Sequence, residues 1–226
     1  MSSPSPARAE LFAALVDLDE VRAVRLLDEH REREGLSSLV GDLVLPVMKA
    51  VGDGWECGEV SVAQEHLATQ LVRSYLDALR RPPSVGGPQV WLACPPRELH
   101  DLPLELFGAM LHARWWRVVS LGANSPMTAI AEAARFTDAS AVVVAGVRRT
   151  AFEARIPSLT RLARSLPLFL AGEGTKHLGS PPPGSEVLPD DLVAAAEIVD
   201  AVGRATTTTG ASVEVPDDEG SEPAVG

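Results

Sequence analysis

Val90-Trp91-Leu92-Ala93-Cys94 is followed by Pro95-Pro96-Arg97-Glu98-Leu99-His100-Asp101-Leu102-Pro103, and these fourteen residues decide the fold. The first five are a short apolar run of the kind a buried strand requires. The rest form a polar, proline-rich loop that leads into an apolar helix over about 103–113. The same alternation repeats downstream. Strands are expected at Arg117 to Leu121, Ala141 to Ala145 and Leu168 to Ala171, and helices at Pro126 to Arg135, Ser158 to Ser165 and Asp191 to Val202. The valine-rich run at 141–145 suits a central parallel strand covered on both faces. Strand–helix alternation of this length predicts an open, mainly parallel, Rossmann-like (flavodoxin-like) α/β sheet.

Upstream the period changes. Leu11, Phe12, Leu15 and Val16 recur at helical spacing, as do Val21, Val24, Leu26 and Leu27. A third apolar segment, Leu39 to Val51, follows Gly35, and Pro46 should kink it or mark its start. Ser61 and Gln64 form a capping box ahead of an apolar stripe through Ala68, Leu71, Val72, Tyr75, Leu76 and Leu79. Four helices with brief connections predict an N-terminal four-helix bundle. The Pro/Gly-rich stretch 80–88 separates the halves. The expected organisation is a disordered N-terminus at 1–6, a bundle at 7–80, a linker at 81–88, the α/β domain at 89–204 and a disordered acidic tail at 205–226.

Composition narrows the function. The formal net charge is −11, with 31 acidic against 20 basic side chains. A nucleic-acid binder needs clustered cations to displace counterions from phosphate, and no basic stripe is present. About six residues precede the first helix, too few for a helix-turn-helix. Direct DNA binding is therefore not expected. No signal-peptide pattern and no apolar run of membrane-spanning length is read, so a soluble, cytoplasmic protein without a membrane partner is expected. Two cysteines, Cys57 and Cys94, make neither a disulfide framework nor a zinc spacing.

Ligands of open α/β sheets bind beyond the carboxyl ends of the strands, where the 95–103 loop lies. Glu98 and His100 are two apart, so in extended backbone their side chains point the same way. A neutral imidazole is a good ligand for a first-row metal, and Glu98 or Asp101 could accept its other N–H. The spacing equally allows an exposed loop with a helix cap at Asp101. In the bundle, Trp55 is followed after nine residues by Glu65-His66. Glu65 shares a helical face with Ala68, Val72 and Leu79, where a carboxylate either faces a partner, lines a cavity or answers the helix dipole.

The segment VGDGWECGEVSVAQEHLATQLV resembles the helical cap of the cobalamin-binding domain family, as found in adenosylcobalamin-dependent, light-sensing MerR-type regulators. Glu98-Leu99-His100 resembles the family's carboxylate-x-His-x-x-Gly signature, and Leu121-Gly122-Ala123-Asn124-Ser125-Pro126 resembles the loop after its second strand. By that resemblance His100 is the lower axial metal ligand to cobalt. Trp55, Glu65 and His66 line the adenosyl side, and Glu98, Leu121, Gly122, Ala145, Gly146 and Gly172 complete the cofactor-binding set. The chain departs from the pattern at three places. Pro103 stands where the signature has glycine, Ala145-Gly146-Val147 replaces a Ser-x-Leu element, and Ala171-Gly172 only approximates a Gly-Gly element. The resemblance implies cobalamin as cofactor, with adenosylcobalamin favoured and methylcobalamin the alternative. It implies a non-enzymatic regulator of a protein partner, itself a transcription regulator, with homo-oligomerisation left open. A corrinoid methyl carrier and a degenerate interaction module are the competing readings.

Overall fold

The structure, a computed structural model, describes residues 5–79 and 87–210. Of the ends expected to be disordered, 1–6 and 205–226, residues 1–4 and 211–226 lie outside the described residues, as does most of the linker, while Pro6 and residues 205–210 belong to helices.

The bundle comprises α1 (Pro6–Val16), α2 (Glu20–Ser38), α3 (Leu45–Glu56) and α4 (Val62–Leu79). Asp19 starts α2 by accepting the Arg22 N–H at 3.0 Å. Gly35 sits inside α2 at φ 83°, a left-handed conformation that glycine adopts without a Cβ penalty. A π-helical turn, Leu39–Val44, then leads directly into α3. Pro46 falls in the first turn of α3, so it marks a start rather than a kink. The capping box is formed as expected. Ser61 N–H donates to Gln64 Oε1 at 2.9 Å, and Gln64 N–H donates to Ser61 Oγ at 3.3 Å. The Gln64 amide also donates to Val16 O at 2.8 Å, tying the start of α4 to the end of α1. The helical stretch Glu20–Glu56 is long and apolar enough to cross a bilayer by composition. Its apolar residues Leu39, Val40, Leu43, Val47 and Val51 are nonetheless buried in the bundle core.

The second half is an all-parallel sheet of five strands in the order β2-β1-β3-β4-β5. These are β1 (Gln89–Ala93), β2 (Arg117–Gly122), β3 (Ala141–Ala145), β4 (Leu168–Ala171) and β5 (Ser185–Val187). The connecting helices are α5 (Leu102–Ala113), α6 (Met127–Phe136), α7 (Arg149–Glu153), α8 (Ile156–Ala163) and α9 (Leu192–Gly210). β5 and α7 are additions to the sequence reading, and α9 continues past Val202. One sheet face buries Leu92, Val143 and Phe169 beneath Leu104, Phe107, Leu111 and Val199. The other buries Val142, Val144 and Leu170 beneath Ile130, Phe152 and Leu159. The chain leaves β1 toward one edge and resumes the sheet at β3 on its other side, so the strand order reverses between β1 and β3.

α5 joins the two halves. Leu104, Phe107 and Leu111 face the sheet, while Leu102, Leu106 and Met110 belong to the bundle core. A helix that is apolar on opposite sides is one buried on both.

Candidate functional site

Glu98 is the pivot of the loop after β1. Its side chain is only 2% exposed. One oxygen accepts the His100 backbone N–H at 3.0 Å and lies 2.8 Å from His100 Nδ1. The other accepts the Val147 N–H from the loop after β3 at 2.8 Å. The carboxylate thus bridges the two loops that diverge at the reversal of strand order. Burial pushes its pKa up, but the hydrogen bonds from His100 and Val147 outweigh that and hold it below the ordinary value. An ionised Glu98 fixes the proton of His100 on Nδ1, leaving Nε2 with its lone pair. The His100 side chain is 56% exposed, so that nitrogen is available to a ligand.

Of the two carboxylates that sequence spacing allowed as the orienting group, Glu98 fills the role. Asp101 is the residue before α5, but its side chain makes no capping bond. It is engaged by the Arg73 guanidinium of α4. The loop after β2 buttresses the same platform. Asn124 N–H donates to Glu98 O at 2.8 Å, and Asn124 Oδ1 accepts the Arg97 N–H at 2.8 Å. Ser125 N–H donates to Cys94 O at 2.8 Å. Leu121 and Gly122 end β2 beside this loop, and Gly122 adopts φ 68° with Asp101 Oδ2 close by.

Ala145 and Ala171 are register partners at the ends of β3 and β4, and Gly146 and Gly172 follow them. Both glycines sit in tight packing, Gly172 against backbone and Gly146 against side chains. A Cβ on Gly172 would lie 2.7 Å from Gly146 O, and one on Gly146 would crowd Ala151 and Phe152. Gly174, whose N–H donates to Gly146 O at 3.0 Å, is similarly confined against Arg148 O. The smallness of this corner therefore serves the close approach of three protein segments.

The bundle residues form a separate group. Glu65 Oε2 lies 2.6 Å from His66 Nδ1, and Glu65 Oε1 accepts the Thr69 hydroxyl at 3.1 Å. Trp55, at the end of α3, is 44% exposed. Glu65, Thr69 and Arg73 occupy successive turns of α4, about 12 Å from first to last at helical rise. The last of them touches the residue after His100. That row carries the bundle group down to the His100 loop. Leu99, next to His100 in the loop, and Val147, whose N–H donates to Glu98, are both exposed and give these loops an apolar surface. A nitrogen donor with a fixed tautomer beside exposed apolar side chains is a donor set that suits a metal-centred, largely apolar ligand. Sequence reasoning missed Arg73, and it marked the loops holding Asn124 and Val147 without assigning either residue a role. Arg73 alone carried a signal, its spacing of four from Thr69 and eight from Glu65.

Residues 7–80 match the family model described as a B12 binding domain. The family expected from the sequence motifs is matched over the helical cap, and the expected fold, a helical bundle followed by a Rossmann-like parallel sheet, is borne out. Two curated relatives are HTH-type transcriptional repressors of Myxococcus xanthus. CarA is 28% identical over 177 residues, covering 75% of this chain and 59% of the relative. CarH is 32% identical over 163 residues, covering 71% of this chain and 54% of the relative. The chain thus spans a little over half the length of these relatives. Among solved structures, the monomethylamine corrinoid protein of Methanosarcina barkeri superposes with a TM-score of 0.67 at 15% identity, over 88% of this chain and 100% of that one. At that identity the likeness is one of fold.

Proposed function

We propose that this chain is a cobalamin-dependent sensory module that regulates a protein partner and makes no covalent product itself. The observation that carries the reading is the buried Glu98 carboxylate holding His100 Nδ1, with Nε2 left free at the carboxyl edge of the sheet. His100 is the residue that would ligate cobalt from below. Leu99, Leu121, Gly122 and Val147 would support the corrin face, and Ala145, Gly146 and Gly172 would lie toward its tail. Trp55, Glu65 and His66 would meet the upper ligand, for which a half-exposed indole offers a stacking face and the Glu-His pair offers polar contacts. When bound, the cofactor supplies a labile cobalt–carbon bond whose state the surrounding protein can register.

Adenosylcobalamin is the favoured form, because an indole and a polar pair suit an adenine and ribose better than a methyl group. The two repressors among the relatives support a transcriptional setting. The acidic charge and the absence of a basic stripe favour action through a partner, itself a transcription regulator, in the cytoplasm. The domain limits are proposed as 7–80 for the cap and 89–204 for the cofactor domain.

The test is to mix the purified protein with adenosylcobalamin or methylcobalamin in the dark, remove free cofactor, and record spectra and oligomeric state before and after green light. Retained adenosylcobalamin with a light-driven spectral and oligomeric change supports the sensor. Retention of methylcobalamin alone would point to a methyl carrier. Retention of neither would leave an interaction module without cofactor.

A further inference from the structure

The Arg73–Asp101 pair lies outside the set of residues read as touching cofactor, yet it joins the two walls of the site. Arg73 comes from the bundle helix that carries Glu65 and Thr69, and Asp101 follows His100 directly. The side chains are 27% and 13% exposed, so the pair is largely withdrawn from solvent and weakly screened. Asp101 is also anchored through its backbone. Its carbonyl accepts the Leu104 and Glu105 N–H groups at 2.9 and 3.0 Å, and its own N–H donates to Leu99 O at 3.2 Å. A pull on its carboxylate is therefore transmitted to the peptide that carries His100.

Beside it, α5 packs on the bundle core through Leu102, Leu106 and Met110, an apolar contact that Leu192 and Val193 of α9 extend. Apolar contact is non-directional and leaves sliding of α4 along α5 weakly opposed. A charge-assisted hydrogen bond from a planar guanidinium specifies distance and orientation. We infer that Arg73 is a positioning residue, clasping the bundle wall to the His100 loop through Asp101 and so fixing the separation between the two faces of the cofactor site. His100 is then held from two directions, by Glu98 through its ring and by Arg73 through its neighbour. The consequence for cofactor retention rests on the function proposed above, whereas the clasp itself does not.

The clasp is tested first in cofactor-free protein, by hydrogen exchange followed by mass spectrometry on wild type, Arg73→Met, Asp101→Asn and Arg73→Lys. Arg73→Met keeps the apolar stem and removes the charge. The expected result is about tenfold faster exchange in the 98–105 segment for Arg73→Met and Asp101→Asn, with partial restoration in Arg73→Lys and no change in α1. Unchanged exchange at 98–105, or acceleration spread equally over α1, overturns the clasp. The second measurement is the dark dissociation rate of adenosylcobalamin. It should rise about tenfold in either single variant and no further in the double variant, as for two residues acting as one unit. Single-variant effects that add in the double variant, or rates equal to wild type, overturn the role in retention. A wild type that takes up no cobalamin refutes the proposed function, while the exchange result still decides the clasp.

Discussion

Replacing Glu98 by glutamine changes one atom of a nearly isosteric side chain, and the structure sets the size of the response. The carboxylate accepts three hydrogen bonds, from the His100 backbone N–H at 3.0 Å, from His100 Nδ1 at 2.8 Å and from Val147 N–H at 2.8 Å. Glutamine retains one accepting oxygen and places an NH2 group at the other position. Either the Val147 N–H or both His100 donors then confront a donor. The site is 2% exposed, so water does not replace the lost acceptor. A buried unsatisfied donor costs about 1–3 kcal/mol. With a urea dependence of about 1–3 kcal/mol per molar, the unfolding midpoint should fall by roughly 1 M. The free His100 ring should also lose its fixed tautomer, and loss of such an orienting group lowers metal affinity by about 10–100-fold. Urea unfolding followed by circular dichroism and spectral titration with adenosylcobalamin in the dark measure the two effects. In a His100→Ala background the affinity effect should vanish, because the residue that Glu98 orients is gone. A Glu98→Gln variant with wild-type midpoint and wild-type affinity would refute the reasoning.

Three further outcomes are expected. Because the folded pKa of Glu98 lies below its ordinary value of 4.5, its stabilising contribution is complete above that pH and is lost as pH falls through the depressed value. Urea midpoints measured from pH 6 downward should therefore decline below about 4.5 in wild type and decline less in Glu98→Gln. Gly172→Ala forces a side chain into φ 91° and to within 2.7 Å of Gly146 O, so it should destabilise by about 2 kcal/mol or more, measured by thermal unfolding. Iodoacetamide at neutral pH should label Cys57 and spare Cys94, seen as one adduct by mass spectrometry. Cys57 is exposed, whereas burial and then the charges of Asp101, Glu98 and Glu105 push the Cys94 thiol up to about 12.

The strands at 141–145 and 168–171 could be placed to the residue because a central parallel strand is a continuous apolar run, bounded here by polar residues, glycine and proline. The start of α4 was equally readable, since Ser61 and Gln64 make their reciprocal bonds within four residues. β5 was not, because its three residues include Ser185 and Glu186 and it is identified by pairing with β4. α7 has five residues, too short for periodicity to register. The Glu98-x-His100 pair was visible as a spacing, but the choice between Glu98 and Asp101 was decided by groups remote in sequence. Val147 lies forty-nine residues from Glu98, and Arg73 twenty-eight from Asp101. Local pattern fixes which side chains are adjacent along the chain. It carries no information about which distant donor will claim them.

α5 has a consequence for how the two halves can be separated, in engineering or in motion. The B12-domain match ends at residue 80, yet the bundle core continues into Leu102, Leu106 and Met110. A chain cut between the halves would strand that apolar stripe in water on one fragment and leave a matching furrow on the other. The two pieces should melt together, and a transplant of the cap onto another scaffold would have to bring a surrogate for α5. The same constraint shapes any signalling movement. With the Arg73–Asp101 clasp released, the cap can glide along α5 with its stripe still covered, whereas lifting away would expose it, so shear is the cheaper coordinate for this architecture.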